Sequence, residues 1–141
     1  MGYQRSLSQP EEQVRQGLKE QLIEVWGFVP HLLIQERALS QLPHVKNTIA
    51  SAPSDRRVDL LAYVIEQGEL KPLILFECKY KKPNADALRQ LFAYNLWVKA
   101  PFISLVSQGH QGLWYTQNGV CEYLGGLQHY KELCQRLKNC P

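Results

Sequence analysis

Several kinds of chemistry are thinly represented in this chain. Only 4 of its 141 residues are cysteine. They stand at Cys78, Cys121, Cys134 and Cys140 without a C-x-x-C pair, which argues against a zinc ribbon. His31, His44, His110 and His129 show no metal-ligand spacing and read as structural or surface residues. The first ten residues are polar and the longest apolar runs are strand-sized, so neither a secretory leader nor a membrane span is expected. Met1-Gly2 with Ser6 fits a loose myristoylation pattern that nothing else supports. Free thiols in a reducing cytosol, and hence a cytoplasmic location, are the economical expectation. There is no repeat and no low-complexity tract. No G-x-x-x-x-G-K-[ST] sequence occurs, so P-loop nucleotide hydrolysis is not expected of these residues. Net charge is only +3, from 16 Lys+Arg against 13 Asp+Glu. That mild basicity permits nucleic acid as a partner without requiring it.

What the chain does have is an ordinary globular composition, 45% apolar. Its length fits one domain spanning 1–141 with a core of its own. A first helix is predicted from about Ser8 to Trp26, with Ser8 and Glu11 as a capping box and Pro10 in the first turn. Val14, Leu18, Leu22, Val25 and Trp26 form its apolar stripe, and Gly27 ends it. A short strand is expected over Leu32–Ile34, then a loop from Arg37 to Asp55 with at most one helical turn. Val58–Glu66 and Leu70–Tyr80 read as two strong strands joined at Gln67-Gly68-Glu69, apolar on both faces as in a central sheet covered on each side. A second helix follows from Asn84, its cap, to about Lys99, with Leu88, Leu91, Phe92, Asn95 and Val98 facing inward. Pro101 stops it, and Phe102–Val106 reads as a buried strand. Leu113–Thr116 and Val120–Leu124 form a hairpin about Asn118-Gly119. A last helix is expected over His129–Leu137. The element order implies an α/β sandwich with a mixed sheet. Trp26, Trp97 and Trp114 are assigned to the core or an interface.

The chemistry is concentrated at the end of the first hairpin. If Gly68 is its centre, Asp59 lies directly opposite Glu77. Facing residues there have Cβ atoms roughly 4.5–5.5 Å apart, and facing like charges are destabilising. Alternation puts Lys79 on the Glu77 face and Cys78 on the other. Two hard carboxylates suit Mg²⁺ or Mn²⁺, which take one or two carboxylates, phosphate and several waters. Such a cation polarises a phosphoryl oxygen and acidifies bound water. A neighbouring lysine can position or deprotonate that water and balance the charge of the transition state. The competing explanation is a structural salt bridge between Lys79 and the two acids. It would be preferred for an arbitrary D…E-x-K, and is weakened here by the register and the apolar surroundings.

Asp59…Glu77-Cys78-Lys79 resembles the D…(D/E)-x-K signature of the restriction-endonuclease-like nuclease superfamily. Pro10-Glu11-Glu12-Gln13-Val14-Arg15-Gln16 is similar to the P-E-E-x-V-R-Q opening of the amino-terminal nuclease domain of type I restriction enzyme R subunits. Gly27-Phe28-Val29-Pro30 resembles that family's G-Y-P, Arg57-Val58-Asp59-Leu60 its R-x-D-I/L, and Gln90-Leu91-Phe92-Ala93-Tyr94-Asn95 its Q-x-x-x-Y-N. These motifs stand in order between Pro10 and Gly109. Tyr80-Lys81-Lys82 departs from the usual Ala-Pro-Lys run, and Ser107-Gln108 from Thr-Asn. The resemblance implies an αβα sandwich about a central mixed sheet. It also implies metal-dependent DNA cleavage leaving a 5′-phosphate and a 3′-hydroxyl. Without a Walker sequence, the family's ATP-driven motor is not expected in this chain.

The expected metal ligands are therefore Asp59, Glu77 and the Cys78 carbonyl, holding Mg²⁺ or Mn²⁺, with Lys79 serving the attacking water. Glu11 can cap its own helix or, aimed inward beside Arg15 near the Val14 and Leu18 stripe, reach the site; the resemblance favours the site. Gln90 alone would be an amide on the core boundary, but within Q-x-x-x-Y it is assigned to the site. Arg15, Arg57, Lys81, Lys82 and Tyr94 are the candidate nucleic-acid contacts, with Arg56 and Lys71 as further flanking cations. DNA is the expected partner, with a second copy of the chain or restriction–modification subunits beside it. Two other functions stay open: a non-catalytic nucleic-acid-binding or assembly module of the same fold, and a dimeric structure-selective nuclease of the junction-resolvase kind.

Overall fold

Strands with apolar side chains on both faces need cover on both, and the helices provide it. The structure is a computed structural model. It describes residues 3–45 and 56–138, with side chains from Pro10 onward. Helix α1 (Tyr3–Glu24) leads to strand β1 (Leu33–Ala38), then β2 (Arg57–Glu66), β3 (Glu69–Cys78), helix α2 (Ala85–Val98), β4 (Phe102–Ser107), β5 (His110–Gln117), β6 (Val120–Gly125) and helix α3 (Tyr130–Lys138). The described residues form a six-stranded sheet in the order β1-β2-β3-β4-β5-β6. β3 and β4 run parallel, and the other neighbours are antiparallel. A parallel pair needs a long crossover, and α2 supplies it. On one face Leu60, Phe76, Cys78 and Val106 pack with Leu18 and Leu22 of α1 and Leu133 of α3. On the other, Leu61, Leu75, Ile103 and Leu105 pack with Leu91, Tyr94 and Val98 of α2. This is the mixed α/β sandwich expected from the sequence. Among the described residues no helix is long and apolar enough to cross a membrane.

Some boundaries differ from expectation. α1 begins at Tyr3, so Ser8 lies inside the helix rather than capping it. A capping box marks where a helix can start, but it does not stop one already begun. The side chain of Ser8 lies outside the described residues. At the other end, the Phe28 N–H reaches back to the Leu22 carbonyl at 2.8 Å, closing the helix. Gly27 makes this possible at φ +75°, where the His129 ring also occupies the space a Cβ would need. β1 starts one residue later than predicted and runs to Ala38, because it pairs with β2 as an edge strand. The loop expected after it contains a short 3-10 turn, Leu39–Gln41, and residues 46–55 of it lie outside the described residues. β5 starts at His110, three residues before the predicted strand, because it pairs along all of β4.

The central hairpin has a two-residue turn instead of the three-residue turn predicted. Gln67 and Gly68 both have positive φ, 53° and 79°, which suits the twist of the flanking strands. Pairing runs from Glu66↔Glu69 to Tyr63↔Pro72, then shifts to Ala62↔Ile74 and Leu60↔Phe76. Leu73 is thus an extra residue in β3. The bulge follows Pro72, which has no N–H for a regular ladder. At the crossover, Asn84 caps α2 by accepting from the Ala87 N–H at 3.0 Å. The buried Asn95 side chain clasps Ala100, accepting its N–H at 3.0 Å and donating to its carbonyl at 2.8 Å. This clasp ties the end of α2 to the start of β4.

Candidate active site

The β2–β3 backbone ladder ends at Leu60↔Phe76. Beyond it, a regular ladder would pair Cys78 with Val58. Instead the Cys78 N–H donates to Asp59 Oδ2 at 2.8 Å, so a carboxylate replaces a carbonyl at the point where the strands part. Strand alternation places Asp59 with Leu61, and Glu77 with Leu75, on the α2 face. Cys78 points the other way, buried among the α1 and α3 contacts as a free thiol. On the far side of β3, the Lys79 N–H donates to the Val106 carbonyl at 2.8 Å. In a parallel pair, Val106 bonds the residues flanking its partner Cys78. The Cys78 carbonyl therefore points toward β2, on the side of Asp59. Lys79 Nζ lies 3.4 Å from Glu77 Oε2, with both side chains half-buried.

Burial dominates the electrostatics of the pair. It pushes the Glu77 carboxyl up to about 7; the neighbouring Asp59 charge pushes the same way, Lys79 opposes, and Glu11 adds a smaller upward push. Asp59 is also raised, first by burial. Its hydrogen bond from Cys78 opposes this, the Glu11 charge raises it further, and Arg15 and Lys79 lower it. Burial likewise lifts the Cys78 thiol to about 12, well away from a reactive thiolate.

The other residues singled out in the sequence fall into two groups. Glu11, Lys79, Lys81, Lys82 and Gln90 line one open groove of about 660 Å³, with α1 on one side and the start of α2 on the other. Glu11 and Gln90 are exposed within it, and the Glu11 charge acts on both buried acids. Arg57 is exposed and donates to the Glu36 carbonyl at 3.0 Å. Arg15 and Tyr94 are placed differently. Arg15 is 8% exposed and lies 3.2 Å from Glu36 and 3.5 Å from Glu12. Tyr94 is buried with its hydroxyl unpartnered, and its ring lies beneath the Arg56 guanidinium, 4.6 Å from the centroid. Glu36, the counter-charge of Arg15, carries no signal in the local sequence; the β1–β2 pairing alone brings it there.

The donor set fits a hard divalent cation. Two half-buried carboxylates share a face, each made unfavourable as an anion by burial, and a backbone carbonyl points to the same side. Among the described residues no group of three or more His, Cys, Asp or Glu side chains converges as a ligand set. The side-chain donors on offer are thus the two carboxylates, a number that suits Mg²⁺ with retained waters.

The family described as Type I restriction enzyme R protein N terminus (HSDR_N) matches residues 10–127. That span contains the whole sheet, α2, and α1 from Pro10 onward. The chain belongs to this family of restriction-enzyme R-subunit amino-terminal domains. No curated protein and no solved structure matches significantly.

Proposed function

We propose that residues 1–141 form one nuclease unit that hydrolyses DNA phosphodiester bonds with Mg²⁺ or Mn²⁺. The observation that carries this reading is that strand alternation puts Asp59 and Glu77 on one sheet face beyond the end of the ladder, with the Lys79 ammonium 3.4 Å from Glu77. Asp59, Glu77 and the Cys78 carbonyl would hold the cation, which when bound supplies charge neutralisation, polarises a phosphoryl oxygen and acidifies water. Lys79 orients the attacking water from its Nζ and offsets the negative charge that builds up on the phosphate. Glu11 and Gln90 bind the edges of the substrate or its waters from the two helices. Lys81, Lys82 and Arg57 hold flanking phosphates, while buried Arg15 acts through its field at Asp59. The Cys78 N–H fixes the rotamer of Asp59, leaving its second oxygen for the ligand. The products are a 5′-phosphate and a 3′-hydroxyl. These residues contain no Walker sequence, so the reaction proposed is hydrolysis without ATP-driven movement along DNA. DNA is the partner, together with restriction–modification subunits or a second copy of the chain, in a reducing cytoplasm.

The test is to incubate the protein with linear, circular, single-stranded and branched DNA in Mg²⁺, Mn²⁺ or EDTA, alongside Asp59→Asn, Glu77→Gln and Lys79→Ala. Cleavage should require the metal and disappear in each variant. Cleavage by all three variants at the parent rate would refute the assignment. DNA binding without cleavage under any condition would make the chain a binding module.

A further inference from the structure

A second groove adjoins the first, and its character is different. It measures about 410 Å³ and is lined by Lys82, Pro83, Leu105, His110, Trp114 and Tyr123, with no carboxylate side chain in its wall. Lys82 and Pro83 belong to both grooves, so the groove lined by Glu11, Lys79 and Gln90 continues past Lys82 into this one. The sheet register fixes the relationship. Glu77 pairs with Leu105, and Leu105 pairs with Gly112. Strands lie roughly 4.8 Å apart, which places Gly112 about 10 Å across the sheet from Glu77. Gly112 has no side chain, and the Trp114 ring occupies that space; a Cβ there would sit 2.6 Å from the indole. Trp114 is thus laid back toward the row that holds Glu77. Its cross-strand partner is Tyr123, whose ring lies 5.3 Å from it and is 64% exposed.

We infer that Trp114 and Tyr123 form a stacking subsite for an unpaired nucleobase next to the scissile phosphate. The inference rests on the nuclease reading and specifies its substrate: DNA with a single-stranded segment at or beside the cut. Aromatic faces bind any base by stacking, and adjacent cations hold its backbone. The wall here has both, the exposed Tyr123 ring stacked on a half-buried Trp114 that the core holds in place, and the cationic Lys82. A duplex keeps its bases stacked inside and cannot offer one to these rings without flipping it out.

The test uses the full chain in EDTA with a fluorescein-labelled single strand and the same sequence as a blunt duplex, read by anisotropy. Tyr123→Ala should weaken single-strand binding roughly 5–100-fold. Tyr123→Phe should bind like the parent, and duplex affinity should stay unchanged in both. Parental single-strand affinity in Tyr123→Ala overturns the subsite. So does an equal loss for duplex, or a loss in Tyr123→Phe matching that in Tyr123→Ala. Cleavage in Mg²⁺ is measured in parallel. Ring-dependent binding without any cleavage refutes the nuclease reading alone, and cleavage with ring-independent binding refutes the subsite alone.

Discussion

Glu77 should make the metal-free protein lose stability as pH rises from mildly acidic to neutral. Its carboxyl is raised from 4.5 to about 7 in the fold, chiefly by burial. Between those values the folded protein holds a proton that the unfolded chain has released. Stability therefore falls as pH rises through that window, and the deficit is complete above about 7. At about 1.36 kcal/mol per unit, the shift corresponds to a penalty of roughly 3 kcal/mol. The Glu77 side chain is 28% exposed, so solvent screening trims this to roughly 2–3 kcal/mol. Glu77→Gln keeps the shape of the neutral acid and removes the charge. In EDTA at pH 8.5 it should be more stable than the parent by roughly 2–3 kcal/mol, or about 8 °C in melting temperature. At pH 5 the two should agree to within about 1 kcal/mol. Urea denaturation of both proteins at a series of pH values measures the difference directly. Added Mg²⁺ should raise the parent and leave Glu77→Gln nearly unmoved. A stability difference that does not change between pH 5 and 8.5 would refute the electrostatic account of the site.

Asp59→Ala should behave unlike Glu77→Gln even without metal. It strands the Cys78 N–H, and denaturation should show a loss of about 1–2 kcal/mol, less any relief of repulsion with Glu77. Asn95→Ala strands the Ala100 N–H, while the Ala100 carbonyl keeps its bond from Thr116 Oγ1 at 3.0 Å; the change should cost about 1–3 kcal/mol in the same assay, and a loss under about 0.5 kcal/mol would deny the clasp its role. Iodoacetamide followed by peptide mass spectrometry should label exposed Cys121 in the native protein and leave Cys78 unmodified until denaturant is added. Rapid native labelling of Cys78 would contradict its burial on the α1 and α3 face.

The facing of Asp59 and Glu77 was legible in the sequence, but for an incomplete reason. A symmetric turn about Gly68 puts them opposite each other. The actual two-residue turn would shift the register by one, and the bulge at Leu73 shifts it back. A one-residue slip flips every side chain to the other face, so the agreement depends on both departures together. Pro72 was the available clue to a bulge, since proline interrupts a regular ladder. The strong strands, the Asn84 cap and the Asn118-Gly119 turn were readable because each rests on local chemistry. The Arg15–Glu36 pair and the junction of the two grooves were not. Glu36 comes to Arg15 only when β1 pairs with β2, and Trp114 comes near the site only through two intervening strand pairings. Helix α1 was underestimated because a good start signal at Ser8 says nothing against an earlier start.

The bulge at Leu73 also divides the hairpin into two stretches of different register. On the side of the acids, register is held by the buried pairs Leu60↔Phe76, Leu61↔Leu75 and Ala62↔Ile74. On the side of the turn, Tyr63 is still buried, but Ile65 and Leu70 are exposed and Lys71 reaches across to Glu66 at 3.1 Å. Gln67 and Gly68 are exposed and lie beyond the buried pairs that hold Asp59 and Glu77 in register. The exposed tip is therefore the place on this hairpin to attach a fluorophore, away from the buried pairs that carry the acids.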